Sequence, residues 1–235
     1  MPRTTPRTYA LVPAAGQGTR MGESTPKQYL AVAGLPMLRH SLAALAAVAR
    51  VDRVIAILAP DDAHWNAHDW SALAGRVEAL RAGGQTRARS VANAIERLAG
   101  EAAPDDWILV HDAARPCLTP AMVERLLDEA GDDPVGGLLA MPVADTLKRE
   151  GEPARVGATV PREGLWRAQT PQLFRYALLR RALAEAPAAT DESQAVESLG
   201  HRPRLVQGDN ANFKVTFPED LALAETILTH RRKHA

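Results

Sequence analysis

The chain has 235 residues, enough for one large α/β domain with a well-filled core, and its 28 Lys plus Arg offset 28 Asp plus Glu. With no net charge there is no global field to draw in nucleic acid or an anionic membrane, so any anion it binds must be met by a local cluster of cations. A single cysteine, Cys117, excludes an intrachain disulfide and suits the cytoplasm, and the best candidate for a membrane span, Ala33 to Val51, is broken by Arg39, His40 and Arg50.

Residues 1–8 read as a disordered leader: Arg3 and Arg7 precede an apolar run, but that run is too short for a signal peptide and flows directly into the Gly loop. Tyr9 to Val12 reads as a buried strand that stops at Pro13. Ala14, Ala15, Gly16 and Gly18 follow, and such small residues let a ligand reach the main chain and let successive N–H groups turn toward an anion. Arg20 and Lys27, the latter in Pro26-Lys27-Gln28, add two cations just beyond. The loop is not a Walker loop, and Gly16-x-Gly18 with Gly22 is one residue too long for the dinucleotide fingerprint. An ordinary glycine turn is the competing reading, and the two cations count against it.

Pro36 opens a helix with Leu38, Leu42 and Leu45 on one face, and Arg53 to Leu58 is an apolar run suited to a strand covered on both sides. Asp61 to Trp70, polar with two His and two Trp, reads as loop and surface. Gly83-Gly84-x-x-Arg87-x-x-Ser90 joins a flexible turn to a helix over 86–98; its main chain and the Ser90 hydroxyl can read a base edge or simply cap the helix. Trp107 to His111 is the next strand, Pro120 starts a helix, and Gly136 to Met141 is a further strand. This alternation predicts an α/β fold with a doubly wound, mainly parallel sheet, whose ligands bind beyond the carboxyl ends of the strands. The Gly loop and His111-Asp112 therefore meet.

Residues 142–165 break the alternation and read as a protruding β-hairpin arm, marginal alone and so packed on something. Helices over 176–186 and 191–199, a strand over 204–207 and a last helix from Pro218 complete a single domain over 1–235, without linker or repeat. Asp112, ending a buried strand, can hold a ribose hydroxyl or Mg²⁺, although one Asp is no dedicated metal cage. His111 and Cys117 read as packed residues, Arg115 as pairing a phosphate or holding its own loop, Arg162 equally as surface or function, and Thr190 as a helix N-cap or a substrate contact. Asp145 supports the arm. No Ser-His-Asp or Cys-His set stands out.

In order along the chain stand Leu11-Val12-Pro13-Ala14-Ala15-Gly16-x-Gly18-Thr19-Arg20-Met21, Pro26-Lys27-Gln28, Gly83-Gly84 with Arg87 and Ser90-Val91, His111-Asp112-Ala113-Ala114-Arg115-Pro116, Asp145-Thr146, Thr170-Pro171-Gln172, Thr190-Asp191-Glu192 and Asn212-Phe213-Lys214-Val215-Thr216. The set, spanning Tyr9 to the last helix, resembles the 2-C-methyl-D-erythritol 4-phosphate cytidylyltransferase family of the non-mevalonate isoprenoid pathway. Phe213 stands where the family usually has Ile, which leaves Lys214 in place. The resemblance implies a Rossmann-like nucleotidyltransferase fold, a homodimer whose arms cross between subunits, Mg²⁺, and CTP and methylerythritol phosphate as partners. It implies that Arg20 and Lys27 stabilise the transition state, that Lys214 positions the sugar phosphate, and that Ala14, Ala15, Gly16, Gly18, Gly83, Arg87, Ser90 and Asp112 serve CTP. It further implies that Arg115, Thr146, Arg162, Thr170 and Thr190 serve the second substrate, with Arg162 and Thr146 reaching the neighbouring subunit. A relative using another alditol phosphate such as ribitol 5-phosphate, a CTP-binding regulator without turnover, and a hydride-transfer enzyme are the rivals. The presence of Arg20, Lys27 and Lys214 argues against the second, and the misfit of the Gly loop against the third.

Overall fold

Strand β1 (Thr8–Pro13) alternates its side chains between two apolar layers: Ala10 and Val12 face one, Tyr9 and Leu11 the other. The same division recurs in the strand built from Arg53–Leu58, where Val54, Ala56 and Leu58 face the first layer and Ile55 and Ile57 the second. The fold is a computed structural model that describes residues 5–16 and 25–234. After β1 come a short 3₁₀ turn (Lys27–Tyr29), β2 (Ala31–Val32), β3 (Leu35–Pro36), α1 (Met37–Ala46), β4 (Arg53–Leu58), β5 (Val77–Arg81) and α2 (Arg87–Arg97). β6 (Trp107–Val110), α3 (Pro120–Ala130) and β7 (Gly136–Pro142) follow. The arm is β8 (Leu147–Glu150) and β9 (Val156–Val160); then come β10 (Trp166–Arg175), α4 (Tyr176–Glu185), α5 (Glu192–Ser198), β11 (Arg204–Gln207) and α6 (Pro218–Lys233).

The described residues form a seven-stranded sheet in the order β11-β7-β10-β6-β1-β4-β5. The β11–β7, β6–β1, β1–β4 and β4–β5 pairs are parallel, while β10 runs antiparallel to both β6 and β7. Helices α1 and α3 cover one face through Leu38, Leu42, Leu45, Val123 and Leu126, and α2, α4 and α5 the other through Val91, Ile95, Leu179, Leu183 and Val196. A third cluster of Val32, Met37, Cys117, Val215 and Ala224 fastens α6 and the segment after Lys214 to the β2–β3 hairpin. Burial pushes the Cys117 thiol up to about 11, in keeping with a packed residue.

The structure corrects the sequence reading in four places. Thr8 belongs to β1 rather than to a leader, and the main-chain N–H groups of Arg7 and Thr8 are held by Asp106 and Asp52 at 2.8 and 2.7 Å. Asp61–Trp70 is more than surface, since Trp65 and Trp70 are half-buried against the first layer. The cap of α5 is Asp191, which accepts the N–H of Gln194 at 2.8 Å, and not Thr190. Strands β5 and β10 have no counterpart in the apolar pattern.

Candidate active site

Because β1, β4, β5 and β6 run parallel, the segments that follow them gather along one edge of the sheet. The Ala14 N–H donates to Ile57 O and the Gly83 N–H to Leu58 O, each at 2.8 Å, so the first loop and the turn before α2 are stitched to β4. Thr86 caps α2 by accepting the Arg89 N–H. The Ser90 hydroxyl donates to Thr86 O and accepts the Gly84 N–H, both at 2.9 Å, which fixes the Gly83-Gly84 turn. Between these segments lies a cleft of about 600 Å³ lined by residues 13–16, Lys27, Gln28, residues 84–87, Ser90, residues 112–114 and Lys214.

Asp112 stands at the centre of the charge. Its Oδ1 accepts from Arg87 Nε at 2.7 Å, and its Oδ2 lies 2.8 Å from Lys214 Nζ and 3.7 Å from Arg115 Nε. Burial alone would raise this carboxyl, but Arg87, then Lys214 and Arg115, outweigh burial and hold it well below the usual carboxylate range. Both terminal nitrogens of Arg87 bind the fully buried Glu192 carboxylate, at 2.7 and 3.0 Å. Burial works against the Arg87 charge, yet Glu192 and Asp112 together hold it above its ordinary range. Three cations around two carboxylates leave the cluster positive. Lys27 donates from Nζ to Val215 O, on the segment that carries Lys214.

A second hollow of about 170 Å³ shares the wall of Arg87, Asp112 and Lys214 and is lined on its far side by Arg115, Thr170, Gln172 and Thr190. Its floor is tightly bonded. The Arg115 guanidinium donates to Asn212 O at 2.7 Å, and the buried Asn212 amide donates to Thr170 O at 2.8 Å. Two polar hollows divided by a mixed-charge wall can bring two anionic molecules together across Lys214.

The sequence profile of 2-C-methyl-D-erythritol 4-phosphate cytidylyltransferase matches residues 8–230. The chain belongs to that family. It is 56% identical over 227 residues to the cytidylyltransferase of this name from Dechloromonas aromatica, covering 97% of this chain and 100% of the relative. It is 57% identical to that from Aromatoleum aromaticum, covering 96% and 97%. The crystal structure of a 4-diphosphocytidyl-2C-methyl-D-erythritol synthase superposes with a TM-score of 0.85 at 43% identity, covering 96% of this chain and 100% of that one. The Thermus thermophilus cytidylyltransferase superposes with a TM-score of 0.76 at 36% identity, covering 94% and 98%. The Rossmann-like nucleotidyltransferase architecture expected of the family is the one observed.

Of the residues expected to act in this family, Ala14, Ala15, Gly16, Lys27, Arg87, Ser90, Asp112 and Lys214 line the larger cleft, and Gly83 packs behind Ala15. Arg115, Thr170 and Thr190 line the smaller hollow. Thr146 and Arg162 are exposed on the arm and line neither; Arg162 donates to Ala144 O within the arm. Gly18 and Arg20 lie outside the described residues. The expectation missed Glu192, which holds Arg87; Asn212, which ties the loops carrying Arg115, Thr170 and Lys214; and Gln28, whose side chain donates to Ala14 O at 2.7 Å. All three sat inside motifs already noticed, so position within a motif was their only signal.

Proposed function

We propose that this chain joins CTP and 2-C-methyl-D-erythritol 4-phosphate into 4-diphosphocytidyl-2-C-methyl-D-erythritol, releasing pyrophosphate, in isoprenoid precursor synthesis. The observation that carries the reading is the Asp112–Lys214 wall between two hollows in a chain of this family. A phosphate oxygen of the acceptor attacks the α-phosphorus of CTP, a new P–O bond forms, and the bond to the bridging oxygen of the leaving pyrophosphate breaks. The acceptor phosphate has a second pKa of about 6 and is already a nucleophile near neutral pH, so the protein needs no general base. What it must supply is positive charge and N–H donors around a crowded, electron-rich phosphorus.

Lys27 and Arg20 supply that charge, and the main chain of residues 14–16 and Gly18 receives the triphosphate. Gly83 and Ser90 shape the turn that meets the cytosine. Arg87 serves the nucleotide through Asp112, since its guanidinium is engaged by two carboxylates. Lys214, Arg115, Thr170 and Thr190 receive the sugar phosphate, and Arg162 with Thr146 complete that half from a second copy of the chain. Mg²⁺ fits the donor chemistry: Asp112 is the carboxylate lining the cleft among the described residues, and a hard cation takes one or two carboxylates with substrate phosphates supplying the rest. When bound by Asp112 it neutralises charge on the triphosphate. Among the described residues no cluster of three His, Cys, Asp or Glu side chains is arranged for a metal, and no helix is long and apolar enough to cross a membrane. The chain works as one domain, as a homodimer through the arm over 142–165, in the cytoplasm.

Pyrophosphate release from CTP with methylerythritol phosphate, and with ribitol 5-phosphate as control, tests the reaction. Turnover with the first and none with the second is expected. Lys27→Ala should lower kcat about 100-fold while the KM for CTP changes less than about threefold. Near-normal turnover of that variant would overturn the role given to the cations.

A further inference from the structure

We infer that Asp62, with the stacked rings of His64 and His68, positions Lys27 for the transfer step by holding Tyr29. The inference rests on the reading that Lys27 acts on the phosphates.

Lys27 begins a single 3₁₀ turn, Lys27–Tyr29. Its side chain is long and flexible, so the place its ammonium can reach depends on how firmly the turn is seated. Gln28 bonds one side of the turn to Ala14 O in the phosphate loop. Tyr29 seats the other side. It is 3% exposed, and its hydroxyl donates to Asp62 Oδ2 at 2.9 Å. Two imidazoles stack on its ring: His64 with centroids 5.3 Å apart and 28° between planes, and His68 at 5.4 Å and 7°. Burial, and then the bond to Asp62, hold the Tyr29 hydroxyl above its ordinary range, so it stays a donor.

Asp62 does two things at once. While Oδ2 takes the phenol, Oδ1 accepts the main-chain N–H groups of His64 and Trp65 at 3.0 and 2.9 Å, folding the segment that delivers the imidazoles. That segment is stiffened further by the Trp65–Trp70 stack, with centroids 4.0 Å apart, by the bond from Trp70 Nε1 to Trp65 O at 2.7 Å, and by Arg81 donating to Asp62 O. Parallel neighbours β4 and β5 are ordinarily joined by a helical crossover. Here the connection over 59–76 holds only short 3₁₀ turns and its polar and aromatic residues converge on Tyr29. Filling space beside Lys27 needs an apolar ring. Burying a hydroxyl on a carboxylate instead fixes both distance and direction.

The test is steady-state kinetics with CTP and the acceptor phosphate on four chains: the unaltered protein, Tyr29→Phe, Lys27→Ala and the double variant, with Asp62→Asn, alone and combined with Lys27→Ala, as a second probe that leaves the ring intact. Tyr29→Phe keeps the stack and loses the bond; it should lower kcat about fivefold with both KM values changed less than about twofold. If Tyr29 acts through Lys27, the same change should cost nothing more in the Lys27→Ala background. Asp62→Asn should repeat that pattern. Full kcat in Tyr29→Phe and Asp62→Asn, or losses that multiply undiminished with Lys27→Ala, would overturn the inference while leaving the proposed function standing. A Lys27→Ala chain with normal turnover would overturn both.

Discussion

His111 shows how one buried imidazole sets the floor of the site. Arg115 O can only accept, so the proton sits on Nε2, 3.2 Å away, and Nδ1 accepts the Thr170 hydroxyl at 3.1 Å. That hydroxyl oxygen in turn accepts the Asp112 N–H at 3.0 Å. The neutral ring is thus built into the support of Asp112 and has no lone pair left for base chemistry. Burial, against the pull of Asp112, lowers its pKa from 6.5 to about 4. Between these values the unfolded chain binds the proton and the folded chain does not, so this stabilisation is complete above 6.5 and falls as the pH drops toward 4. From about pH 7.5 to about pH 5, urea midpoints of the unaltered protein should show a loss of stability about 2 kcal/mol larger than in His111→Gln. Equal losses would show that charging this ring costs the fold nothing. At this scale the sequence was legible for Ala14, Ala15, Gly16 and Lys27, which stand close together in the chain and line one cleft. Beyond its place in Thr190-Asp191-Glu192, nothing marked Glu192 as the partner of Arg87: the two are 105 residues apart, and an acidic residue in the first turn of a helix already has a local reason in the helix dipole.

At the scale of elements, the strands that sequence reading found are those with unbroken apolar runs, such as β1, β4 and β6, each covered on both faces. β10 escaped because it lies in the middle of the sheet yet carries Gln169, Thr170, Pro171 and Gln172. Gln169, Thr170 and Gln172 line the smaller hollow, and the strand register shifts between Ala168 and Gln172, where Pro171 lacks an N–H for the ladder. The edge strand β5 escaped for the opposite reason, being only partly covered. The Gly83-Gly84 turn was read as flexible, but what matters at Gly83 is a close approach between two elements. A Cβ there would stand 2.4 Å from Ala15 Cβ and 2.8 Å from Leu58 O. Neither can retreat cheaply, because β4 is a core strand and Ala15 belongs to the loop that faces the cleft. Gly83→Ala should cost about 1–3 kcal/mol in thermal unfolding and raise the KM for CTP more than it lowers kcat. An unshifted KM would separate this packing from nucleotide binding.

At the scale of the whole molecule the arm stands apart from the main sheet. Among the described residues β8 and β9 pair only with each other, and their side chains are almost all exposed. A two-stranded ribbon is marginal by itself in water, and Val156 within it is 67% exposed, with Leu165 and Trp166 beyond it 40% and 37% exposed. Thr146 and Arg162 ride on this arm, away from both hollows of their own chain. If two copies exchange arms about a two-fold axis, each site takes its cleft from one chain and Arg162 from the other. A Lys27→Ala chain then has a damaged cleft and a sound arm, and an Arg162→Ala chain the reverse. In a mixed pair one site inherits both defects and the other neither. Random reassortment at equal amounts makes about half the dimers mixed, each with one sound site of two, so activity should recover to about a quarter of the unaltered level. Pyrophosphate release measured across mixing ratios should peak at equal amounts. If instead it never rises above the sum of the two inactive chains, Arg162 serves the site of its own chain, and the arm must fold back to reach it.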